Sequence, residues 1–308
     1  MAPLKAPGPD GMPLLFYQNF WSLVGSDVTT SILYYLSSGS LPTPLNHTFI
    51  TLIPKTKNPK RVIEFRPISL CNILYNIFSK VLANRLKHVL PHLIFEHQSA
   101  FVKGRLITDN IMVAFETLHY MKNHNSGKNG FMALKLDMSK VYDWVEWSFL
   151  REVMNRMGFN EKWVELVMEC VSTVSYSLLI NGDPMGNIKP SRGIRQGDPL
   201  SPYLFLLCSK GLQRMIQKAV DIGDIQGVSI CRNGPKLTHL FFADDSLLFC
   251  RATTQECHKV LEILFAYERV SGQKLDRDKT SLFFSMSTPL EMQNQIMNAL
   301  GVSALGTI

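Results

Sequence analysis

Two consecutive carboxylates, Asp244 and Asp245, interrupt an otherwise apolar run, LTHLFFADDSLLFC (residues 237–250). Two like charges roughly 4 Å apart cost about 4 kcal/mol at an effective dielectric near 20. Such a pair calls for a neutralising partner, and a bound divalent cation reverses the sign of that cost. Upstream, a second strand-like run, FMALKLD (131–137), also ends on an aspartate, Asp137. Two apolar strands that each deliver aspartate point to a carboxylate cage for Mg²⁺. Successive strand residues face opposite sides, so Ala243-Asp244-Asp245 is placed at a turn, where both carboxylates can address one space. The plainer alternative is a solvent-exposed β-turn that simply prefers Asp.

The 308 residues are enough for a large core and for two domains or subdomains. A net charge of +7 and a pI near 9.1 favour a polyanionic partner such as nucleic acid, although a basic protein without one fits the charge too. Six cysteines are scattered without the paired spacing of a zinc site. Reduced core thiols in an intracellular setting are expected. No apolar segment approaches the ~20 residues needed to span a bilayer, and MAPLKAPGPDG reads as a loop rather than a signal peptide.

Periodicity predicts a helix over 14–38, then a hairpin with a cationic tip from HTFITLIPK (47–55), TKNPKR and VIEFRPISL (62–70). A long amphipathic helix runs from Ile73 to Leu90, ended by Pro91, and another covers about 110–124. A short helix around 150–157 closes at Gly158, and Asn160 can cap the next. YSLLING (176–182) ends in Asn181-Gly182, a strong hairpin signal. Ser201 and Pro202 open a helix to about Asp221. A helix over 254–271 and a strand over 280–285 complete the pattern. Helices and short strands interleave without a regular βαβ rhythm, so the fold class is α+β.

Around the aspartates lie residues suited to a nucleotide. Tyr142, five residues past Asp137, can place its ring beneath a sugar, or be a packed aromatic at a strand–helix junction. Gly193 and Gly197 in RGIRQGDPLSP let backbone approach a flat ligand, and Gln196 can hydrogen-bond a sugar or base; the same loop can be only a turn. Lys55 and Arg66, on facing arms of the hairpin, can clamp phosphates or be solvated cations.

Nine blocks follow one another in order: PGPDG (7–11), LIPK (52–55), FRPISL (65–70), QSAFVKGR with DN (98–105, 109–110), LKLDMSKVYD (134–143), YSLLING, RGIRQGDPLSPYLF (192–205), FFADD (241–245) and SGQKLDRDKT (271–280). Over nearly the whole chain they resemble the reverse transcriptases of LINE-type (non-LTR) retrotransposons, those of plants above all. The resemblance implies a right-hand polymerase fold: a fingers-like region over 1–130, a palm over 131–290, and a truncated start of a thumb connection over 291–308, the thumb being largely missing. It implies RNA-directed DNA synthesis on an RNA template and DNA primer from dNTPs, with two Mg²⁺ (or Mn²⁺) held by Asp137, Asp244 and Asp245. Tyr142 is similar to the steric gate against a 2′-hydroxyl. Gln196 and Gly197 match the loop against the templating pair, and Lys55 and Arg66 the fingers residues that meet the triphosphate. Lys279 resembles the lysine proposed to protonate the leaving pyrophosphate. A nuclear site follows from how such elements insert copies.

Three positions depart from the family pattern: Val141 for the usual Ala, Trp144 for Arg or Lys, and Asp276 for Asn. Two extra methyl groups beside a packed nucleotide would cost about 1–3 kcal/mol. Weak or no activity is therefore expected of these residues alone. A non-catalytic nucleic-acid-binding relic is the competing reading. A metal-dependent phosphohydrolase fits the aspartates but leaves RGIRQGDPLSP and RPISL without a role.

Overall fold

The computed structural model describes residues 6–123, 130–231, 234–243 and 245–302. In chain order the elements begin with helices α1 (Leu14–Asn19), α2 (Trp21–Ser38) and α3 (Thr43–Asn46), strands β1 (His47–Pro54) and β2 (Phe65–Cys71), and helices α4 (Ile73–Leu93) and α5 (Ile107–Asn123). Next come strands β3 (Phe131–Leu136) and β4 (Met138–Ser139), helices α6 (Trp147–Arg156) and α7 (Glu161–Ser172), and strands β5 (Ser175–Ile180) and β6 (Asp183–Ile188). The rest is α8 (Ser201–Asp221), β7 (His239–Phe242), β8 (Asp245–Arg251), α9 (Thr254–Ser271), β9 (Lys274–Leu275), β10 (Ser281–Phe284) and α10 (Leu290–Leu300).

Local signals explain most boundaries. Asn160 caps α7 by accepting from Lys162 N at 3.0 Å, and Thr253 caps α9 by accepting from Glu256 N at 3.2 Å. Asn181 and Gly182 both have positive φ, as a two-residue hairpin requires. Two helix expectations need correction. The helix expected over 14–38 breaks at Phe20 into α1 and α2. Pro91 does not end α4, because it removes only one hydrogen bond and Ile94 N still reaches Leu90 O at 2.9 Å. Residues 62–64, expected to be extended, form a 3₁₀ turn.

By contacts the chain divides into two units, Met1–His88 with Val145–Leu204 and Val89–Trp144 with Phe205–Ile308. The first holds a four-stranded sheet in the order β2-β1-β5-β6. Here β1 is antiparallel to β2 and parallel to β5. Its centre is polar and fully buried. Arg195 donates to Asn46 Oδ1 (2.8 Å), Thr48 Oγ1 (3.1 Å) and Cys170 O (2.8 Å), pairs with Asp198 at 3.4 Å, and stacks on the Tyr75 ring at 3.8 Å. Asp198 also accepts from Tyr75 Oη at 2.6 Å and Leu200 N at 2.8 Å.

The second unit holds the sheet β10-β3-β8-β7 and a small pair, β4 with β9. Met121 from α5 and Ala133, Leu240 and Phe249 from three strands form its core with Val228. Tyr267 Oη on α9 donates to Cys208 O on α8 at 3.3 Å. Five of the six cysteines are buried and unbridged, as expected of core thiols, while Cys231 is exposed. Among the described residues no helix is long and apolar enough to cross a membrane.

Candidate active site

The aspartates are placed by strand register. Strands β3 and β8 run antiparallel, and their last pair is Leu136 with Ser246. Asp137 directly follows the last residue of β3, and Asp245 opens β8, so both lie at the same end of this strand pair. On its other side Asp245 pairs with Phe242, closing the hairpin through Ala243, whose φ of 52° lies in the left-handed region. Asp244 lies outside the described residues. Among those described, no group of three or more His, Cys, Asp or Glu is arranged to hold a metal ion. The donor set itself, two oxygen-only carboxylates at strand ends, suits a hard divalent cation.

The segment 271–280 straps the Asp137 loop from one side. Strand β9 pairs with β4, Met138 with Leu275 and Ser139 with Lys274. Asp276 N donates to Asp137 O at 2.8 Å. Gln273 Nε2 donates to the carbonyl of Val141 at 3.0 Å, and its Oε1 accepts from Tyr267 Oη. Lys274 Nζ stands 5.1 Å from the Trp144 ring centroid. Val141 is buried, and the Tyr142 ring lies against Phe205 with centroids 5.8 Å apart. Lys279 Nζ stands 3.1 Å from Asp276 Oδ2 and 3.8 Å from Asp137 Oδ1. Its hydrogen bond to Asp276, then the charge of Asp137, hold its ammonium above the ordinary lysine range.

Lys55, Arg66, Gln196 and Gly197 belong to the other unit. Lys55 Nζ donates to Ile63 O at 3.0 Å, and Arg66 is exposed on β2 opposite Ile53. The loop carrying Gln196 crosses β2 three residues from Arg66, where Ser69 N donates to Gln196 O at 2.8 Å. Gly197, at φ +107, passes so close that a Cβ would meet Ser69 O at 3.2 Å. The positive φ favours glycine there, and Ser69 would have to give by a few tenths of an ångström to admit a side chain.

Two supporting groups act through contacts that the sequence blocks do not reveal. One is the Arg195–Asp198–Tyr75 cluster, which fixes the loop of Gln196 and Gly197. The other is the segment 97–110, which carries the QSAFVKGR and DN blocks. It runs along the open edge of β7: Phe241 N donates to His97 O at 2.8 Å and Ser99 N to Phe241 O at 3.3 Å. Asn110 Nδ2 adds bonds to His97 O and Phe241 O, and Arg105 caps the end of α4 through the carbonyls of Ile94, Phe95 and Gln98.

His239 on β7 makes this region sensitive to acid. Burial, with a smaller push from His97 whose ring lies 4.7 Å away, lowers its imidazole from 6.5 to about 3. The unfolded chain takes up that proton near pH 6.5 and the folded chain does not. The stabilisation is therefore complete above pH 6.5 and is lost as pH falls toward 3, by up to about 1.4 kcal/mol per unit. Urea unfolding at pH 7, 6 and 5 is expected to show a shallower pH slope for His239→Phe than for the unaltered chain. Equal slopes would refute this account of His239.

The fold is that of reverse-transcriptase polymerases. It is similar to apo telomerase from Candida tropicalis truncated from its C-terminal domain, with a TM-score of 0.55 at 15% identity over 85% of this chain and 55% of that one. Telomerase from Candida albicans, in complex with a fragment of telomeric RNA, gives 0.54 at 16% identity over 88% and 46%. The sequence matches the family described as "Reverse transcriptase (RNA-dependent DNA polymerase)" over residues 53–304, and the chain belongs to that family. Relatives include the transposon TX1 uncharacterized 149 kDa protein of Xenopus laevis, 27% identical over 90% of this chain and 20% of its own length. A Pol polyprotein from the type-2 retrotransposable element R2DM of Drosophila melanogaster is 28% identical over 89% and 24%. An uncharacterized mitochondrial protein of Arabidopsis thaliana is 50% identical over 68 residues, 22% of this chain and 56% of its own. The chain thus spans about a fifth to a quarter of the length of the two retroelement proteins.

Proposed function

We propose that the chain is the polymerising domain of a plant-type LINE element and copies RNA into DNA from a primer 3′-hydroxyl. The observation that supports this reading is that Asp137 and Asp245 border the same end of the paired strands β3 and β8. Plant affinity is supported by the identity to the Arabidopsis protein. Residues 1–130 would serve as fingers and 131–290 as palm, and insertion of copies would place the product in the nucleus.

In this reading Asp137 and Asp245, with Asp244 of the FFADD block, hold two Mg²⁺. When bound, the ions supply acidification of the primer hydroxyl and neutralisation of charge on the pyrophosphate oxygens. Lys279 Nζ, kept protonated by Asp276 and Asp137, donates to the leaving group. Lys55 and Arg66 meet the triphosphate, Tyr142 excludes a 2′-hydroxyl, and Gln196 with Gly197 lies against the templating pair. The RNA–DNA hybrid is gripped through its backbone, so binding weakens steeply with salt.

One observation favours a second reading, a non-catalytic nucleic-acid-binding relic: Val141 is buried directly before Tyr142. Primer extension on poly(rA)/oligo(dT) with dTTP and Mg²⁺ separates the two. Weak synthesis is expected from the unaltered chain and none from Asp245→Asn. If neither extends and both bind Mg²⁺ and dTTP equally, the relic is the correct account.

A further inference from the structure

We propose that Gln98 is a positioning residue that fixes the turn presenting the aspartates, its side chain standing in for a strand peptide at the open edge of β7. The proposal rests on the polymerase reading above and deepens it.

Strand β7 is the last of its sheet, so one row of its backbone groups has no strand partner. Segment 97–99 covers that row at Phe241 through a parallel bridge between Gln98 and Phe241. In a continuing strand the next outward N–H is two residues on, at Ala243. Among the described residues no backbone carbonyl takes it. Gln98 Oε1 accepts it at 3.2 Å, together with Ala100 N at 2.9 Å.

What is held there is strained. Ala243 sits at φ +52, a conformation that a residue with a Cβ adopts at a cost and keeps only when its surroundings enforce it. It immediately precedes the Asp pair. Gln98 is fully buried, and among the described residues its Nε2 has no hydrogen-bond partner. The amide is thus engaged by its oxygen alone, as an acceptor aimed at the turn.

The test uses three variants and two readouts besides stability. Gln98→Met keeps length and removes the acceptor. Asn110→Ala removes bonds to the same strand at Phe241 but none at the turn. Gln98→Asn draws the oxygen back by one methylene and replaces the Met variant should that one fail to fold. Mn²⁺ affinity by electron paramagnetic resonance is expected to fall about 10- to 100-fold in Gln98→Met. Asn110→Ala should lose stability with Mn²⁺ affinity unchanged. Hydrogen exchange at the Ala243 amide should quicken about tenfold or more in the Gln98 variants only, as for a local opening made easier. The proposal is overturned if Gln98→Met exchanges at Ala243 as the unaltered chain does, or if Mn²⁺ affinity simply tracks stability across the variants. If the unaltered chain binds no Mn²⁺, the polymerase reading fails, and the exchange rate still decides whether Gln98 holds the turn.

Discussion

Asp137→Asn is expected to lower the rate of primer extension at least about 10³-fold, a loss of about 4 kcal/mol in transition-state stabilisation, without lowering stability. The two halves of that expectation come from the same geometry. Asp137 follows the last residue of β3 and Asp245 opens β8, at the same end of one antiparallel pair. Two like charges at one end of a strand pair repel. Lys279 relieves part of that repulsion at 3.8 Å from Asp137, and keeps its closer partner Asp276 when Asp137 is neutralised. Asparagine preserves the shape of the strand end and removes one of the two charges, so the melting temperature should hold or rise. Activity should go because an amide oxygen is a far weaker ligand for a hard divalent cation than a carboxylate. Extension rate and melting temperature measured on the same preparation check both halves. A rate within tenfold of the unaltered chain would remove Asp137 from the reaction.

How much of this was legible in the sequence depended on the range of the forces involved. The Asn181-Gly182 hairpin, the α9 helix and the strand leading to Asp137 are written in residues a few positions apart, and the structure has all three, the strand ending at Leu136. Placing Ala243-Asp244-Asp245 at a turn followed from the two-residue period of a strand; Ala243 lies in the turn, while Asp245 opens β8. What the chain's local pattern does not carry are contacts made across it. Arg195 looks like one more cation in a basic loop until folding brings Asn46, Thr48, Tyr75 and Cys170 around it. Gln98 lies in a polar stretch without periodicity, and its partner Ala243 is 145 residues away. The pairing of β4 with β9 spans two residues on each side, too short to leave any period. Helix α10 falls where the family resemblance directs attention to a connection, although its apolar residues Ile296 and Leu300 are buried at helical spacing.

The largest effect on stability is expected at Arg195. Its guanidinium is fully buried and is the only donor that the described contacts give to Asn46 Oδ1 and Thr48 Oγ1. Removing one member of a buried ion pair costs about 3–5 kcal/mol, because the other charge stays uncompensated. Asp198 would keep Tyr75 Oη and Leu200 N as donors. Burial raises the Tyr75 phenol well above its ordinary range, so it remains a neutral donor and cannot replace the lost positive charge. Arg195→Met fills much of the volume without that charge. It is expected to lower the urea midpoint by an amount equivalent to about 3–5 kcal/mol at constant m-value. Adding Asp198→Leu removes the stranded carboxylate, and the double variant should be more stable than Arg195→Met alone, since the two residues are directly coupled. The same loop carries Gln196 and Gly197 over Ser69, so dTTP affinity should fall in the single variant before global unfolding is reached. A loss below 1 kcal/mol for Arg195→Met, or strict additivity in the double variant, would mean that the loop is held by its backbone contacts and not by this pair.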